Sequence, residues 1–309
     1  MDRYPFPAYP NGWFRVAYSA DLAVGEVKPL HYFGRDLVVF RTESGAARVL
    51  DAHCPHLGAH LGHGGCVSGE NVRCPFHHWL WDGEGNCAEI PYAKRIPPTA
   101  KMRSWPVSEK NGLVMMYHDA DGKPPAYELP DVPEIGAEGW SEPHIHSWNM
   151  RARWLDMNEN CVDQAHFYYI HGTLEIPRIH TTTEGHIFRT EATVRMKAPG
   201  NTEADGFLNT NDFGPGFQVV HMKGFIDTIE MNTSTPIDEE TTDVSFLCTA
   251  KTEGDERKER LAAKIVADLQ SQFENDIPIW ENKASWARPV LCDGDGPVGA
   301  YRKWMQQFF

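Results

Sequence analysis

The chain is short of positive charge: its 309 residues carry 29 Lys and Arg against 43 Asp and Glu, a formal net charge of −14. Neutralising phosphates needs a basic face, so no nucleic-acid partner is expected. No apolar run approaches the roughly 20 residues of a membrane-spanning helix, and no membrane span is expected. The opening MDRYPFPAYPNGWF lacks a basic segment followed by an uninterrupted apolar one. It does not read as a secretory leader, which points to the cytoplasm. With 41% hydrophobic and 23% charged residues, wholesale disorder is excluded as well. Seven cysteines, an odd number in a long chain, do not make a secreted disulfide framework. Four of them, Cys54, Cys66, Cys74 and Cys87, lie close together, as metal ligands do.

Residues 35–50, RDLVVFRTESGAARVL, are two apolar runs about a Gly-containing turn and predict a β-hairpin. Short apolar segments at 79–81 and 113–117, punctuated by Gly83, Gly85 and Gly112, extend an all-β module over residues 1–118. Residues 119–143 hold Pro124, Pro125, Pro130 and Pro133 with three glycines, which sustain neither helix nor interior strand and predict a linker. Residues 144–309 would form a second domain. There, Leu155 to Ile170 predicts a helix, and FQVVHM and DVSFLCTA predict strands. Leu261, Ile265, Leu269 and Phe273 recur every four residues in an amphipathic helix over 256–277.

Two clamps carry the first chemistry, Cys54-Pro-His56 and Cys74-Pro-Phe-His77. Each offers one thiolate and one imidazole. Two Cys and two His could hold a tetrahedral zinc, although zinc fingers pair Cys with Cys and His with His. A Rieske [2Fe–2S] cluster needs two Cys on one iron and two His on the other. The repeated Cys-then-His order suits that division, since each of two loops can then serve both irons. His53, His60, His63 and His78 read as loop residues rather than ligands.

The second chemistry lies in Asn160-Cys-Val-Asp163-Gln-Ala-His166-Phe-Tyr-Tyr-Ile-His171. Two histidines and a carboxylate leave open positions on a non-haem Fe(II). Helical residues five apart point about 140° away from each other, so His166 and His171 could share a metal only if the helix ends or bulges between them. Asp163 lies one turn before His166, where its carboxylate could accept an imidazole N–H. The third ligand must come from elsewhere. Asp276, at the end of the amphipathic helix, is the candidate and Glu274 its rival; by spacing alone either could be a solvated carboxylate.

The aromatic and Gly-rich stretch His77-His-Trp-Leu-Trp-Asp-Gly-Glu-Gly85 resembles the sequence after the second clamp of Rieske proteins. Ala59 and Phe76 stand where the respiratory type carries an extra cysteine pair, so the resemblance is to the oxygenase type, with Cys66 and Cys87 free. With the second constellation, nearly the whole chain resembles the oxygenase subunit of Rieske non-haem iron oxygenases. In that family the pattern N-x-x-D-x-x-H-x4-H falls on Asn160, Asp163, His166 and His171, and the later iron aspartate falls on Asp276. The resemblance implies an α+β fold: an all-β Rieske domain, then a catalytic domain with a central antiparallel sheet flanked by helices. It also implies a homotrimer in which Asp163 contacts a cluster histidine, by position His77, of a neighbouring subunit.

A narrower resemblance, to the 3-ketosteroid 9-alpha-hydroxylase and cholesterol 7-desaturase group, rests on Pro91-Tyr-Ala-Lys-Arg95, Asp163 to His171, Trp280-Glu-Asn-Lys283, Arg288 to Val298 and Arg302 to Phe308. It implies monooxygenation of an apolar, steroid-like or alicyclic substrate with O2. No GxGxxG opens a strand–helix unit, so NAD(P)H electrons would arrive through a separate flavin or ferredoxin reductase. Residues 172–250, expected to build much of the pocket, carry no recognisable motif. The rival readings are an aromatic-ring dioxygenase, an O- or N-demethylase and a Rieske electron carrier. The last needs only the first third of the chain.

Overall fold

The computed structural model describes residues 4–198 and 202–309. They form two compact units, Asn11–Leu129 and a second made of residues 4–10 with Pro130–Phe309. The first is all-β apart from a single 3-10 turn at Ser19–Asp21. Its three antiparallel sheets include the expected hairpin, Arg35–Arg41 against Ala47–Asp51. Val38, Phe40, Leu50, Leu61, Val72 and Trp81 form a core into which Cys54 and Cys74 are built.

The Pro- and Gly-rich stretch 119–143 is shared between the units rather than standing apart from them. Its prolines cannot join a ladder, so side chains and single backbone bonds anchor it instead. Tyr127 is buried in the first unit, where its carbonyl accepts the Trp13 indole N–H at 2.8 Å. Ser141 belongs to the second, donating its backbone N–H to the Ala250 carbonyl at 2.8 Å.

The second unit is built on a seven-stranded antiparallel sheet. In spatial order its strands are His144–Met150, Thr242–Ala250, Thr228–Pro236, Phe217–Lys223, Thr202–Phe213, Ile187–Ala198 and His180–Glu184. The register sets Asp212 opposite Gln218, Gln218 opposite Asn232 and Asn232 opposite Phe246. Side chains directly opposite share a face, so these four form one row across the sheet. The helix Glu256–Asn282 is capped by the Asp255 carboxylate, which accepts the backbone N–H groups of Arg257 and Lys258. It buries Ala262, Val266, Phe273, Asp276 and Trp280. Phe273 seats the helix on the sheet, with ring centroids 4.2 Å from Phe246 and 4.6 Å from Trp148. The helix carries Pro278 within its last turns and runs beyond the expected end at Ile277. Segregated strands and helices make the chain α+β.

The single helix expected over 155–170 is broken. Helix Trp154–Asn158 tightens into a 3-10 turn at Glu159–Val162, Asp163 is extended (φ −83°, ψ 102°), and a second helix runs over Ala165–Tyr169. Asp163 causes the restart, because its Oδ1 accepts the N–H groups of Ala165 at 3.0 Å and His166 at 3.3 Å, as a helix-capping carboxylate does. The chain's end braces this break. Gly296 lies so close that a Cβ there would stand 1.7 Å from the Val162 carbonyl oxygen. In the helix Val298–Met305, Arg302 forks onto the buried Glu159, with Nε bonded to Oε1 and Nη2 2.9 Å from Oε2.

Removing one partner of such a pair leaves a desolvated charge, at a cost of about 3 kcal/mol or more. Arg302→Leu should therefore lower the thermal unfolding midpoint measured by circular dichroism, and Glu159→Gln in the same chain should recover part of the loss. Equal midpoints for Arg302→Leu and the wild type would show that the brace is dispensable.

Candidate metal centres

The two Cys/His loops repeat one backbone design. Cys54 N–H donates to the Ala59 carbonyl and Cys74 N–H to that of Trp79, at 2.9 and 2.8 Å. The carbonyls of Cys54 and Cys74 accept N–H groups from Gly58 and His78, four residues on, at 2.9 and 3.1 Å. Both closing residues are left-handed, Gly58 at φ 77° and His78 at φ 61°. His78 thus has a structural explanation: it occupies the turn position for which the first loop uses glycine.

The loops bring the four predicted ligands together in the arrangement a two-iron cluster needs. Cys54 and Cys74 are 1% and 2% exposed, and their thiols lie within reach of each other. His56 and His77 are partly exposed, with ring centroids 4.7 Å apart. Burial, as the largest cause, pushes the Cys54 thiol up to about 11, so without a cation that thiol stays protonated. His77 Nδ1 and the Trp81 indole N–H are buried with no hydrogen-bond partner, although Trp81 lies where it favours the Cys54 thiolate. An unsatisfied imidazole nitrogen beside two buried thiols fits a metal cluster, and an unsatisfied indole N–H beside them fits a sulfur acceptor. His56 stacks on Trp79 at 4.5 Å, and the Trp79 indole donates to the Tyr92 hydroxyl at 2.8 Å, fixing the exposed face.

In the second unit His166, His171 and Asp276 converge, with one potential ligand atom from each lying within 4.8 Å of the others. His171 Nε2 stands 3.3 Å from Asp276 Oδ2. The Asn160 amide nitrogen contacts His166 Nε2 at 3.1 Å and Asp276 Oδ2 at 3.3 Å. Helix termination lets the two histidines meet. The Ala165–Tyr169 helix stops, Ile170 N–H and His171 N–H both reach back to the His166 carbonyl at 2.7 and 3.3 Å, and Gly172 turns the chain at φ 70°. The second of these bonds has π-helical spacing. Asp276 points inward, whereas its rival Glu274 is exposed and accepts the Gln270 amide at 2.8 Å.

Asp163 differs from its expected role in one respect. The His166 imidazole N–H donates to the backbone carbonyl of Asp163 at 2.5 Å, while the carboxylate stands 3.9 Å away. The extended ψ at Asp163 points its carbonyl at the ring, and the carboxylate's Oδ1 is taken up in capping the helix, which leaves Oδ2 free of that role. That bond fixes the tautomer, leaving the His166 Nε2 lone pair toward Asp276. Burial holds His166 below its ordinary pKa and so keeps the ring neutral. Two imidazoles and a buried carboxyl group, with no lysine or arginine among them, form a donor set that fits a divalent metal.

These groups line a cavity of about 640 Å³, together with Val194, Leu208, Phe217, Val220, Met222 and Phe246. Phe167, Phe207, Phe225 and Trp280 also line it. Phe188 instead packs in the core against Tyr301 and Trp304, and Tyr168 and Tyr169 are exposed. Sequence reasoning missed Asp212 and Glu230, which sit on the cavity wall with pKa values raised by burial to about 7. It also missed Gly296 and Glu159 beneath the break. A carboxylate inside an otherwise strand-like run was the available signal for Asp212 and Glu230.

A two-loop Cys/His cluster domain followed by a sheet-and-helix unit with a His/His/Asp centre defines the oxygenase type of Rieske protein. Residues 12–106 match the Rieske [2Fe-2S] domain family, and residues 116–309 match the 3-ketosteroid 9alpha-hydroxylase C-terminal domain. A probable 3-ketosteroid-9-alpha-monooxygenase oxygenase component from Rhodococcus rhodochrous is 33% identical, over 99% of this chain and 81% of that protein. Cholesterol 7-desaturase nvd 1 from Ciona intestinalis is 31% identical, over 98% of this chain and 69% of that one. The fold is shared with a solved dicamba monooxygenase, at TM-score 0.78 and 16% identity over 97% of both chains. The chain therefore belongs to the 3-ketosteroid 9α-hydroxylase family of Rieske monooxygenase oxygenase components. It is an oxidoreductase, and the name "oxygenase component" implies a separate reductase. Among the described residues no helix is long and apolar enough to cross a membrane.

The loop symmetry gives a test. His78→Gly should keep the visible cluster absorption and raise stability by up to about 1 kcal/mol, since it removes a left-handed side-chain residue. Gly58→Val should lower acid-labile sulfide per purified chain. Full sulfide in Gly58→Val would show that the left-handed turn is not required.

Proposed function

We propose that this chain is the terminal oxygenase of a multicomponent monooxygenase that hydroxylates an apolar, multi-ring or alicyclic substrate. Cys54, His56, Cys74 and His77 hold the [2Fe–2S] cluster, and His166, His171 and Asp276 hold a mononuclear Fe(II). The observation that carries the reading is the convergence of those last three residues in the wall of a largely apolar cavity. A mononuclear iron bound there would supply O2 activation, using electrons taken from NAD(P)H by a separate flavin or ferredoxin reductase.

The protein's own groups do the rest. The Asp163 carbonyl orients His166, and the Asn160 amide sits between His166 and Asp276. Val194, Leu208, Val220, Met222 and Phe246 favour a hydrocarbon frame and exclude water from it. The family's named substrates, a 3-ketosteroid and cholesterol, are of that kind. The half-exposed Asp163 carboxylate is available to a cluster histidine, by position His77, of a neighbouring copy, in keeping with a homotrimer working in the cytoplasm. The domain division follows the same reading, with the cluster module up to about residue 118, a Pro/Gly-rich connection over 119–143 and the catalytic module beyond it.

Ligand counting predicts about three irons per chain. Cys54→Ala should abolish the visible cluster absorption, whereas His171→Ala should keep that colour, lose about one iron by elemental analysis and lose product formation. One zinc and no iron in the wild-type protein would sink the assignment.

With NADH alone the purified chain should turn over no substrate, and a flavin or ferredoxin reductase should restore turnover. Rapid NADH oxidation by the chain on its own would contradict the division of labour.

A further inference from the structure

The sheet wall of the cavity carries a row of polar side chains inside apolar surroundings. Asp212 is fully engaged: Cys161 Sγ donates to Oδ2 at 3.6 Å, and the Gln218 amide donates to Oδ1 at 2.9 Å. Gln218 in turn accepts the Asn232 amide at 3.0 Å. Glu230 lies two residues before Asn232 on the same strand and face, opposite Val220, which offers no hydrogen bond, and Cys248, which offers only a weak thiol donor. It is 7% exposed and lines the cavity. Among the described residues the Asn232 amide, which donates to Gln218, is the side chain placed to favour its carboxylate, and Asn232 Oδ1 is itself buried without a partner.

A buried carboxyl with so few partners destabilises the fold unless something else completes its bonding. Burial raises Glu230 to about 7, so near neutral pH a large share of it is the neutral acid, with one O–H donor and remaining acceptor capacity. Such a group matches a single oxygen on an otherwise apolar molecule, because a ketone accepts from it and a hydroxyl can both accept and donate. We propose that Glu230 is a substrate-orienting residue: it holds a ketone or hydroxyl oxygen of an apolar substrate and so fixes which carbon is presented to His166, His171 and Asp276. The assignment rests on the apolar-substrate reading above and narrows it to frames bearing an oxygen function.

The probes are three steroids of one skeleton, bearing a 3-ketone, a 3-hydroxyl or no oxygen at that position. Equilibrium dialysis on the iron-loaded protein, followed by product mass spectrometry with a reductase, reads affinity and site of oxidation. The wild type should bind at least one oxygenated steroid about 5- to 10-fold more tightly than the deoxy parent, as one hydrogen bond allows, and the preferred member identifies the oxygen. Glu230→Leu should lose that preference and scatter the product positions while binding the deoxy parent as before. Glu230→Gln, which keeps a donor and an acceptor, should retain the preference. Unchanged preference and a single product in Glu230→Leu would overturn the proposal.

A ligand-free arm separates orientation from structure. Thermal unfolding of the iron-loaded Glu230→Leu protein should show a midpoint no lower than wild type, because the carboxyl group supports little of the fold. A midpoint several degrees lower would make Glu230 structural and overturn the proposal. If the wild type binds none of the three steroids, the apolar-substrate reading itself fails, and the thermal comparison still decides whether Glu230 serves the fold.

Discussion

A carboxylate carried into the interior must be matched by positive charge or hydrogen-bond donors, and Asp276 meets two imidazoles and an amide rather than a lysine or an arginine. Much of the second unit serves that encounter. The helix Glu256–Asn282 presents Asp276 because Phe273 and Trp280 fix its rotation against the sheet, and the same rotation leaves Glu274 in solvent. On the other side, the backbone between Asn160 and His171 must stop being a helix twice, first at Asp163 and again after Tyr169. A continuous helix would turn His166 and His171 to different sides. The last residues of the chain hold the first interruption in place, with Gly296 against the Val162 carbonyl and Arg302 on Glu159.

The first centre solves a related problem by different means. Its thiols are buried and its imidazoles partly exposed, an order set by one hairpin-like loop used twice. The loops tolerate different residues at the closing turn, glycine in one and histidine in the other, because the hydrogen bonds there come from the backbone. Cys54, His56, Cys74 and His77 would hold a cluster between buried thiols and partly exposed imidazoles, and it would supply one-electron transfer there. The Trp79–Tyr92 bond and the stacking of His56 on Trp79 stiffen that outer edge without touching the cysteines.

The sheet contributes shape more than chemistry. Its seven antiparallel strands supply a wall on which alternate residues face the cavity, so apolar rows such as Leu208 and Met222 lie beside a polar one running from Asp212 to Asn232. The second unit thus sets His166, His171 and Asp276, carried on helices and the turn after Tyr169, apart from the strands that form the cavity wall.

Apart from Asp276, the side chains that the structure brings together at the two candidate centres could be picked out in the sequence because their spacing is local. C-x-H, C-x-x-H and N-x-x-D-x-x-H-x4-H place donors within a turn or two of each other, where backbone geometry alone limits what they can do. The hairpin at 35–50 and the amphipathic period of 256–277 were legible for the same reason. Asp276 needed the family pattern, because no periodicity says which face of a helix meets a centre more than a hundred residues away in sequence. The tertiary structure alone decided that the His166 imidazole bonds the Asp163 carbonyl rather than its carboxylate, that Phe188 belongs to the core, and that Asp212 and Glu230 face the cavity. Those outcomes depend on which strands pair and in what register, and on long-range closure by residues such as Gly296 and Arg302. A chain read one residue at a time carries no trace of who its distant neighbours will be.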